Sequence, residues 1–189
     1  MKKMLLLSLC VILMLSIVGC SASGRPAPTV TPSCDAYVGM PMEEFWELYK
    51  AGWADFSNTI VFMGYYYFIE DDNGNPVVIT CTSTNSASTE KEVTSIVAYD
   101  KNEIELSSRS FYAIKAGMTV HEVISRLGKP KANIGATGER LSWRVDDVIY
   151  DIDFRATEDD PFDLVVVNVY IRGENAASII NHWYIPFID

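Results

Sequence analysis

The sequence predicts an α+β fold made of two tandem units, each a short helix packed on an antiparallel sheet. Residues 38–49 are similar to residues 116–127, and strand-like runs follow both segments. With 189 residues, of which 49% are apolar, the chain is long enough for one domain or two small ones and too apolar to be disordered. We therefore expect a first unit at residues 34–107 and a second at residues 108–189.

Each of the two similar segments predicts one amphipathic helix. Apolar residues recur at positions 42, 45, 46 and 49 and again at 120, 123, 124 and 127, the spacing of one buried helix face. Thr119 and Glu122 form the pattern of a capping box, and Gly128 with Pro130 ends the second helix. Three pairs of corresponding positions are identical: Gly39 and Gly117, Met40 and Met118, Glu44 and Glu122.

Strands follow each predicted helix as an antiparallel meander. The turn residues between them favour hairpins, with Asn-Gly in the Asp71–Asn75 stretch as the clearest example. That stretch also resembles a calcium loop, but no bidentate Glu follows at the required spacing, so a turn is preferred. The predicted strands are residues 60–70, 77–82 and 93–99 in the first unit, and 141–145, 148–155 and 164–172 in the second.

The second unit carries a motif that resembles a known family. Residues 117–130 read Gly-Met-Thr-x-x-Glu-Val-x-x-x-Leu-Gly-x-Pro, and Trp143 lies on the strand that follows. This run is similar to the small outer-membrane lipoproteins of the β-barrel assembly machinery and to the related β-lactamase-inhibitor-protein fold, which has two tandem helix-and-sheet units. The first unit matches less fully, because no Leu-Gly-x-Pro follows its helix. The resemblance implies a function in binding other proteins.

The N-terminus predicts export. Lys2 and Lys3 precede an apolar run at residues 4–18, so residues 1–19 are typical of a secretory signal. The run ends in Ile-Val-Gly-Cys and resembles the bacterial lipoprotein signal. That resemblance implies that Cys20 becomes the N-terminus and carries diacylglycerol and a fatty acid such as palmitate, anchoring an extracytoplasmic protein of the cell envelope to a membrane. Residues 20–33, with three prolines, would be the lipidated Cys and a flexible tether.

Besides the lipidated Cys20, two cysteines remain in the exported chain. Cys34 and Cys81 could form a disulfide, which an extracytoplasmic compartment permits, or stay separate thiols. Both alternatives are open from the sequence.

No recognisable motif for catalysis is present. The sequence lacks a nucleophile elbow, a phosphate loop and a zinc-protease helix, and it contains two His. His121 is expected on the solvated side of its helix, and His182 is expected to pack against the body of the protein. The acidic stretch at residues 158–163 reads as an exposed loop, and the formal charge of −10 disfavours nucleic acid as a partner. We expect no cofactor, no metal and no enzymatic activity.

Strand alternation predicts which residues the sheets expose. In the second unit Trp143 and the odd positions from Val165 to Ile171 should face the core. In the first, the run Tyr65–Phe68 is aromatic at every position, so either Tyr66 with Phe68 or Tyr65 with Tyr67 faces outward, unless both faces are buried. The predicted protein-binding residues are Arg144, Asp151, Asp153, Tyr170 and Arg172, with Tyr65 and Tyr67.

These features predict a membrane-anchored lipoprotein that binds another envelope or secreted protein through its sheet face, without catalysis. One alternative is an inhibitor of an extracytoplasmic enzyme, which the β-lactamase-inhibitor likeness implies. Another is a module that binds a small molecule or the cell wall through the tyrosine cluster, which would require a concave aromatic pocket.

Overall fold

The computed structural model describes residues 26–50, 59–83, 90–134, 140–173 and 179–184. Over these residues the chain combines helices with two antiparallel sheets, which confirms the α+β class. None of the helices in these ranges is long and apolar enough to cross a membrane. The helices are α1 (Met42–Lys50), α2 (Ser108–Phe111) and α3 (Val120–Leu127), with a 3-10 turn at Lys101–Glu103. The strands are β1 (Thr29–Val30), β2 (Ile60–Phe62), β3 (Tyr66–Glu70), β4 (Pro76–Thr82), β5 (Glu92–Tyr99), β6 (Ala132–Ile134), β7 (Arg140–Val145), β8 (Val148–Ala156), β9 (Leu164–Gly173) and β10 (Ile179–Tyr184).

Each sheet has five strands in the described ranges. The first has the order β1-β5-β4-β3-β2 and the second the order β10-β9-β8-β7-β6. The predicted single strand at 60–70 is wrong, because Met63 and Gly64 have positive φ values of 54° and 75° and close a hairpin between β2 and β3. Two consecutive residues with positive φ give the twist that a tight hairpin prefers. Two further strands were not predicted from the sequence: β6, which pairs with the start of β7, and β10, which pairs with β9.

Helix α1 covers one face of the first sheet. Phe45 on α1 is fully buried, and its ring contacts that of Tyr67 on β3 at a centroid distance of 5.2 Å. This contact puts the apolar stripe of α1 against the sheet, as the helical spacing predicts. The buried residues of this cluster are Met40, Phe45, Tyr67, Ile69, Val77, Ile79, Cys81, Val93 and Ala98.

The opposite face of the first sheet is also buried, because α3 and the second sheet pack on it. Helix α3 contacts both β4 and β9, and Phe62 meets Phe154 across the two sheets at 5.6 Å. The layers therefore run α1, first sheet, α3, second sheet. Tyr65 and Tyr67 are 7% and 2% exposed, so the prediction that they form a binding surface is wrong. Because side chains alternate along a strand, an aromatic strand needs both of its faces buried. Here α1 buries one face, and α3 with the second sheet buries the other.

Both ends of α3 are formed by the residues that the sequence predicts. The Glu122 amide donates to the Thr119 hydroxyl at 3.2 Å, and the Thr119 amide donates to the Glu122 carboxylate at 2.8 Å, which confirms the capping box. Gly128 ends the helix with φ 71°, and its carbonyl accepts a hydrogen bond from the Trp143 indole at 3.1 Å. The cap of α3 is thus tied to β7 in the second sheet.

The segment that precedes the first helix is part of the folded body. Thr29 and Val30 pair with Tyr99 and Ala98 on the outer edge of β5, and the buried Ala27 donates its amide to the Ser125 carbonyl on α3 at 3.2 Å. The tether predicted at residues 20–33 is therefore wrong at its C-terminal end, while residues 20–25 lie outside the described ranges. A free strand edge presents unpaired amides and carbonyls, and β1 satisfies them.

The two sheets meet along one pair of edges. Asn133 on β6 donates from its side-chain amide to the Val61 carbonyl on β2 at 2.8 Å. Strand β1 therefore lies on the edge of the first sheet that is opposite to this seam.

Candidate binding face of the second sheet

One side of the second sheet faces away from α3, and we call it the outer face. Its residues alternate with the core residues Leu141, Trp143, Tyr150 and Ile152. Cross-strand pairing sets Ser142, Asp151 and Tyr170 side by side in one row. The outer face consists of Arg140, Ser142, Arg144, Ile149, Asp151, Asp153, Arg155, Val165, Asn168, Tyr170 and Arg172.

A β-bulge changes the alternation along β9. Asp153 pairs with Asn168 while the next residue, Phe154, pairs with Val166, so Val167 is an extra residue. Val166 is consequently buried in the core, whereas the sequence analysis predicted it to face outward. The inserted residue exchanges the inward and outward positions on its N-terminal side. On its C-terminal side, the residues including Tyr170 face as predicted.

Asp151 lies at the centre of the outer face and is fully buried. Its carboxylate accepts a hydrogen bond from the Ser142 hydroxyl at 2.5 Å and two from the Arg172 guanidinium at 2.5 and 3.0 Å. The prediction that Asp151 itself contacts a partner is therefore wrong, because its neighbours on β7 and β9 cover it. It instead fixes the position of Arg172, whose side chain is 34% exposed.

A second ion pair on the outer face joins β7 to β8, next to the row that contains Asp151. Arg140 binds Asp153 through two guanidinium nitrogens, Nε and Nη2. The same guanidinium lies over the Tyr170 ring, with Cζ 4.5 Å from the ring centroid. Partial burial and the neighbouring Asp153 carboxylate raise the pKa of Tyr170. Tyr170 is thus oriented before any partner arrives.

Arg144 and Arg155 are the most accessible charges of the outer face. Both residues are exposed, and the Arg144 side chain keeps half of its surface in solvent. Arg144 donates from Nε to the Asp146 carbonyl at 3.0 Å and lies 3.9 Å from the Asp147 carboxylate, a weak surface pair. Together with Arg140 and Arg172, the outer face carries four arginines and two aspartates, whereas the whole chain has a formal charge of −10.

This arrangement is suited to recognition by contact. Arginine and tyrosine combine a large apolar contact area with directed hydrogen bonds, and the ion pairs here fix their side chains in advance. Arg140 and Ser142 were not among the predicted binding residues. Both continue the alternation of Arg144 toward the N-terminus; Arg140 lies one residue before the predicted strand, whereas Ser142 lies within it and could have been assigned to this face.

His121 lies between the layers instead of on a solvated surface. Its Nδ1 is 2.9 Å from the Tyr99 hydroxyl on β5, and its ring meets that of Tyr66 edge-on at 6.2 Å. Burial lowers the pKa of His121, against an opposing contribution from Asp163. The predicted solvent exposure is wrong because the first sheet packs on this side of α3. His182 pairs through its backbone with Tyr170, and its side chain lies outside the described part.

The acidic loop between β8 and β9 is anchored to the first sheet. Tyr65 and Tyr66 donate their hydroxyls to the carbonyls of Pro161 and Phe162 at 3.1 and 3.0 Å. The loop residues Glu158, Asp159 and Asp160 are exposed, as the sequence predicts.

Both remaining cysteines are free thiols. Cys34 is half-buried, and Cys81 is fully buried in the cluster beneath α1. Burial raises the pKa of Cys81 to about 12. Of the two alternatives for this pair, the structure shows the separate thiols and not the disulfide.

The remaining polar clusters are structural in the described part of the chain. Asp71 accepts the amides of Asn73 and Asn75 at 2.9 Å each, so the stretch at 71–75 is a turn, as predicted. No group of three or more His, Cys, Asp or Glu residues that could hold a metal occurs in the ranges given above.

No protein-family model, no curated protein and no solved structure matches the chain. The likeness to small envelope lipoproteins therefore remains a prediction from residues 117–130 and from the signal that ends at Cys20.

Proposed function

We propose that this chain is an extracytoplasmic lipoprotein, anchored to a membrane through the lipid on Cys20, that binds another protein through the outer face of its second sheet. The activity is binding without catalysis. Cys20 itself lies outside the described residues, and the signal-like sequence at 1–20 supports the anchor.

The proposal includes a tandem organisation, which one repeated set of backbone contacts supports. The amides of Gly39 and Gly117 donate to the carbonyls of Val93 and Val166 at 2.8 and 3.0 Å. The amides of the same two valines donate in turn to the carbonyls of Met40 and Met118, at 2.9 and 2.8 Å. Both glycines have positive φ, 89° and 80°. The Gly-Met motif thus joins the start of a helix to a late strand of its own sheet twice, at equivalent places.

The observation that carries the binding proposal is the difference between the two sheets. The first sheet is buried on both faces, whereas none of the three described helices packs on the outer face of the second. That face presents Arg144, Arg155, Tyr170 and Arg172 on a rigid scaffold of paired charges. Ordered arginines and a tyrosine on the side of the sheet that none of these helices covers have the composition of a protein interface.

The charge of the outer face indicates the kind of partner. Arg140 and Arg172 are paired with Asp153 and Asp151, so the positive excess of this face on an acidic chain comes from Arg155 and from Arg144, which lies 3.9 Å from the exposed Asp147. We therefore propose a protein partner that presents acidic side chains, since complementary charge favours encounter and fixes register.

The structure weakens the basis of the small-molecule alternative. That hypothesis rested on an accessible tyrosine cluster, and Tyr65 and Tyr67 are both buried. The inhibitor alternative differs from the proposal in the identity of the partner, so a direct inhibition assay against β-lactamase separates the two.

The test is capture of envelope proteins by the acyl-free domain, residues 21–189, with two matched variants. Arg144→Glu with Arg155→Glu reverses two exposed charges on the outer face, and Arg109→Glu with Lys115→Glu reverses two exposed charges elsewhere. We expect a specific partner whose capture is lost in the outer-face variant and kept in the control. Equal capture by both variants would remove the outer face from the proposal.

A further inference from the structure

The docking of β1 limits how far the protein can stand from its membrane. Thr29 and Val30 belong to the first sheet, and Ala27 is held to Ser125 on α3. The chain available as a spacer therefore ends at Pro26. Between Cys20 and Pro26 there are six residue steps, which span at most about 20 Å even when fully extended.

The docked segment also selects the side of the protein that faces the membrane. Strand β1 forms one edge of the first sheet, and β2 forms the opposite edge, which is closed by the seam with β6. Strands in a sheet lie about 4.8 Å apart, so four strand intervals separate these edges by roughly 20 Å. When the protein is held at the membrane by its β1 edge, the seam between β2 and β6 lies on the side directed away from the membrane.

The surface around the exit point suits a hydrated headgroup layer. Pro28 accepts a hydrogen bond from the Asp100 amide at 3.0 Å, which places the 3-10 turn at 101–103 beside it. The exposed residues there are polar or charged, namely Thr29, Lys101, Asn102 and Glu103, apart from Pro26 and Pro28. Such residues lose little hydration on approaching a polar membrane surface.

We propose that the lipid on Cys20 holds the protein with its β1 edge against the headgroups of the anchoring bilayer and with the β2–β6 seam directed away. The inference rests on the proposed lipid anchor and adds an orientation to it. The outer face of the second sheet is separated from the β1 edge by α3, so the membrane and a protein partner contact different parts of the molecule.

The test uses the acylated protein in vesicles of phosphatidylcholine and phosphatidylglycerol that contain a nitroxide quencher on the lipid headgroup. A fluorophore is attached at Thr29→Cys or at Val61→Cys, two exposed strand positions on opposite edges, in a Cys34→Ser background. We expect strong quenching at position 29 and little at position 61. Equal quenching at both positions would overturn the orientation.

A second variant tests the length of the spacer without using the label at Val61. Inserting about 12 Gly and Ser residues between Ser23 and Gly24 adds roughly 20 Å of average reach. The label at Thr29 should then lose most of its quenching, and unchanged quenching would contradict the short spacer. Failure of the unlabelled chain to join vesicles would instead refute the lipid anchor itself, while partner capture by the acyl-free domain reports on the outer face alone.

Discussion

The hydroxyl of Tyr99 lies 2.9 Å from Nδ1 of His121 and joins the last strand of the first sheet to the helix between the sheets. In the neutral imidazole Nδ1 accepts this hydrogen bond when the proton is on Nε2 and donates it when the proton is on Nδ1, and the ring contacts those of Tyr66 and Tyr99. The contact makes the packing of the two sheets sensitive to the protonation of one side chain.

The first prediction concerns pH and His121. Burial lowers the folded-state pKa of His121 below its ordinary value of 6.5, so the unfolded chain binds a proton first as the pH falls. The contribution of His121 to stability is therefore present above pH 6.5 and is lost as the pH falls through the folded-state pKa. Urea unfolding at about pH 7.5 and pH 5.5 measures the loss.

The matched variant for this prediction is His121→Gln, which keeps a hydrogen-bond acceptor near Tyr99 and does not titrate. It should lose less stability than the wild type between the two pH values. Parallel losses in both proteins would show that carboxylates, and not His121, set the acid sensitivity.

The second prediction concerns the two thiols. In the native protein a thiol reagent should modify Cys34 and leave Cys81 intact, because Cys81 is fully buried and its pKa is raised to about 12. Denaturation should expose Cys81 to the same reagent. Intact mass spectrometry counts the modified groups, and a native protein in which neither cysteine reacts even after denaturation without reductant would indicate a disulfide.

The third prediction concerns the buried carboxylate of the outer face. Asp151→Ala removes the partner of Arg172 and of Ser142, and the half-exposed position of Arg172 lets water replace part of the loss. We expect the free energy of unfolding to fall by about 2 kcal/mol. Asp147→Ala, on the exposed turn, should change it by less than about 0.5 kcal/mol. Equal effects from the two substitutions would mean that the buried pair contributes nothing.

The fourth prediction concerns the end of α3. Gly128 has φ 71° and ψ −166°, a conformation that residues with a side chain rarely adopt, while an added Cβ would meet Ile104 at an ordinary 3.5 Å. Gly128→Ala should therefore destabilise the protein through backbone strain, by about 1–3 kcal/mol. Thermal unfolding compares it with Lys115→Ala, an exposed control. A Gly128→Ala protein as stable as the wild type would argue against this backbone conformation.

Local signals in the sequence predicted α3 well. Thr119, Glu122 and Gly128 act within one helix, and the apolar spacing of residues 120–127 defines its buried side without reference to distant parts of the chain. The turn at 71–75 was predictable for the same reason, since Asn-Gly favours a tight turn on its own.

Features that depend on tertiary packing could not be predicted in the same way. The bulge at Val167 has no signal in a run of valines, yet it decides which of Val165 and Val166 reaches the core. His121 looks solvated when α3 is considered alone, and it is only partly exposed because the first sheet packs on this side of the helix. The same packing buries Tyr65 and Tyr67.

The candidate site was predictable in part. Arg144, Tyr170 and Arg172 lie on the outer face as strand alternation requires, and Asp153 joins them in an ion pair with Arg140. Alternation assigns a residue to a face but does not determine whether its neighbours cover it. Asp151 is on the predicted face and is nevertheless fully buried by them.

The most direct measurement is site-specific photo-crosslinking in intact cells that express the full chain. A photoreactive residue at Arg144 or Asn168 samples the outer face, and one at Glu47 or Tyr112 samples other exposed or half-exposed surfaces. We expect a crosslinked partner protein from positions 144 and 168 and none of the same mass from 47 and 112. A partner that crosslinks only from positions 47 or 112 would contradict binding through the outer face.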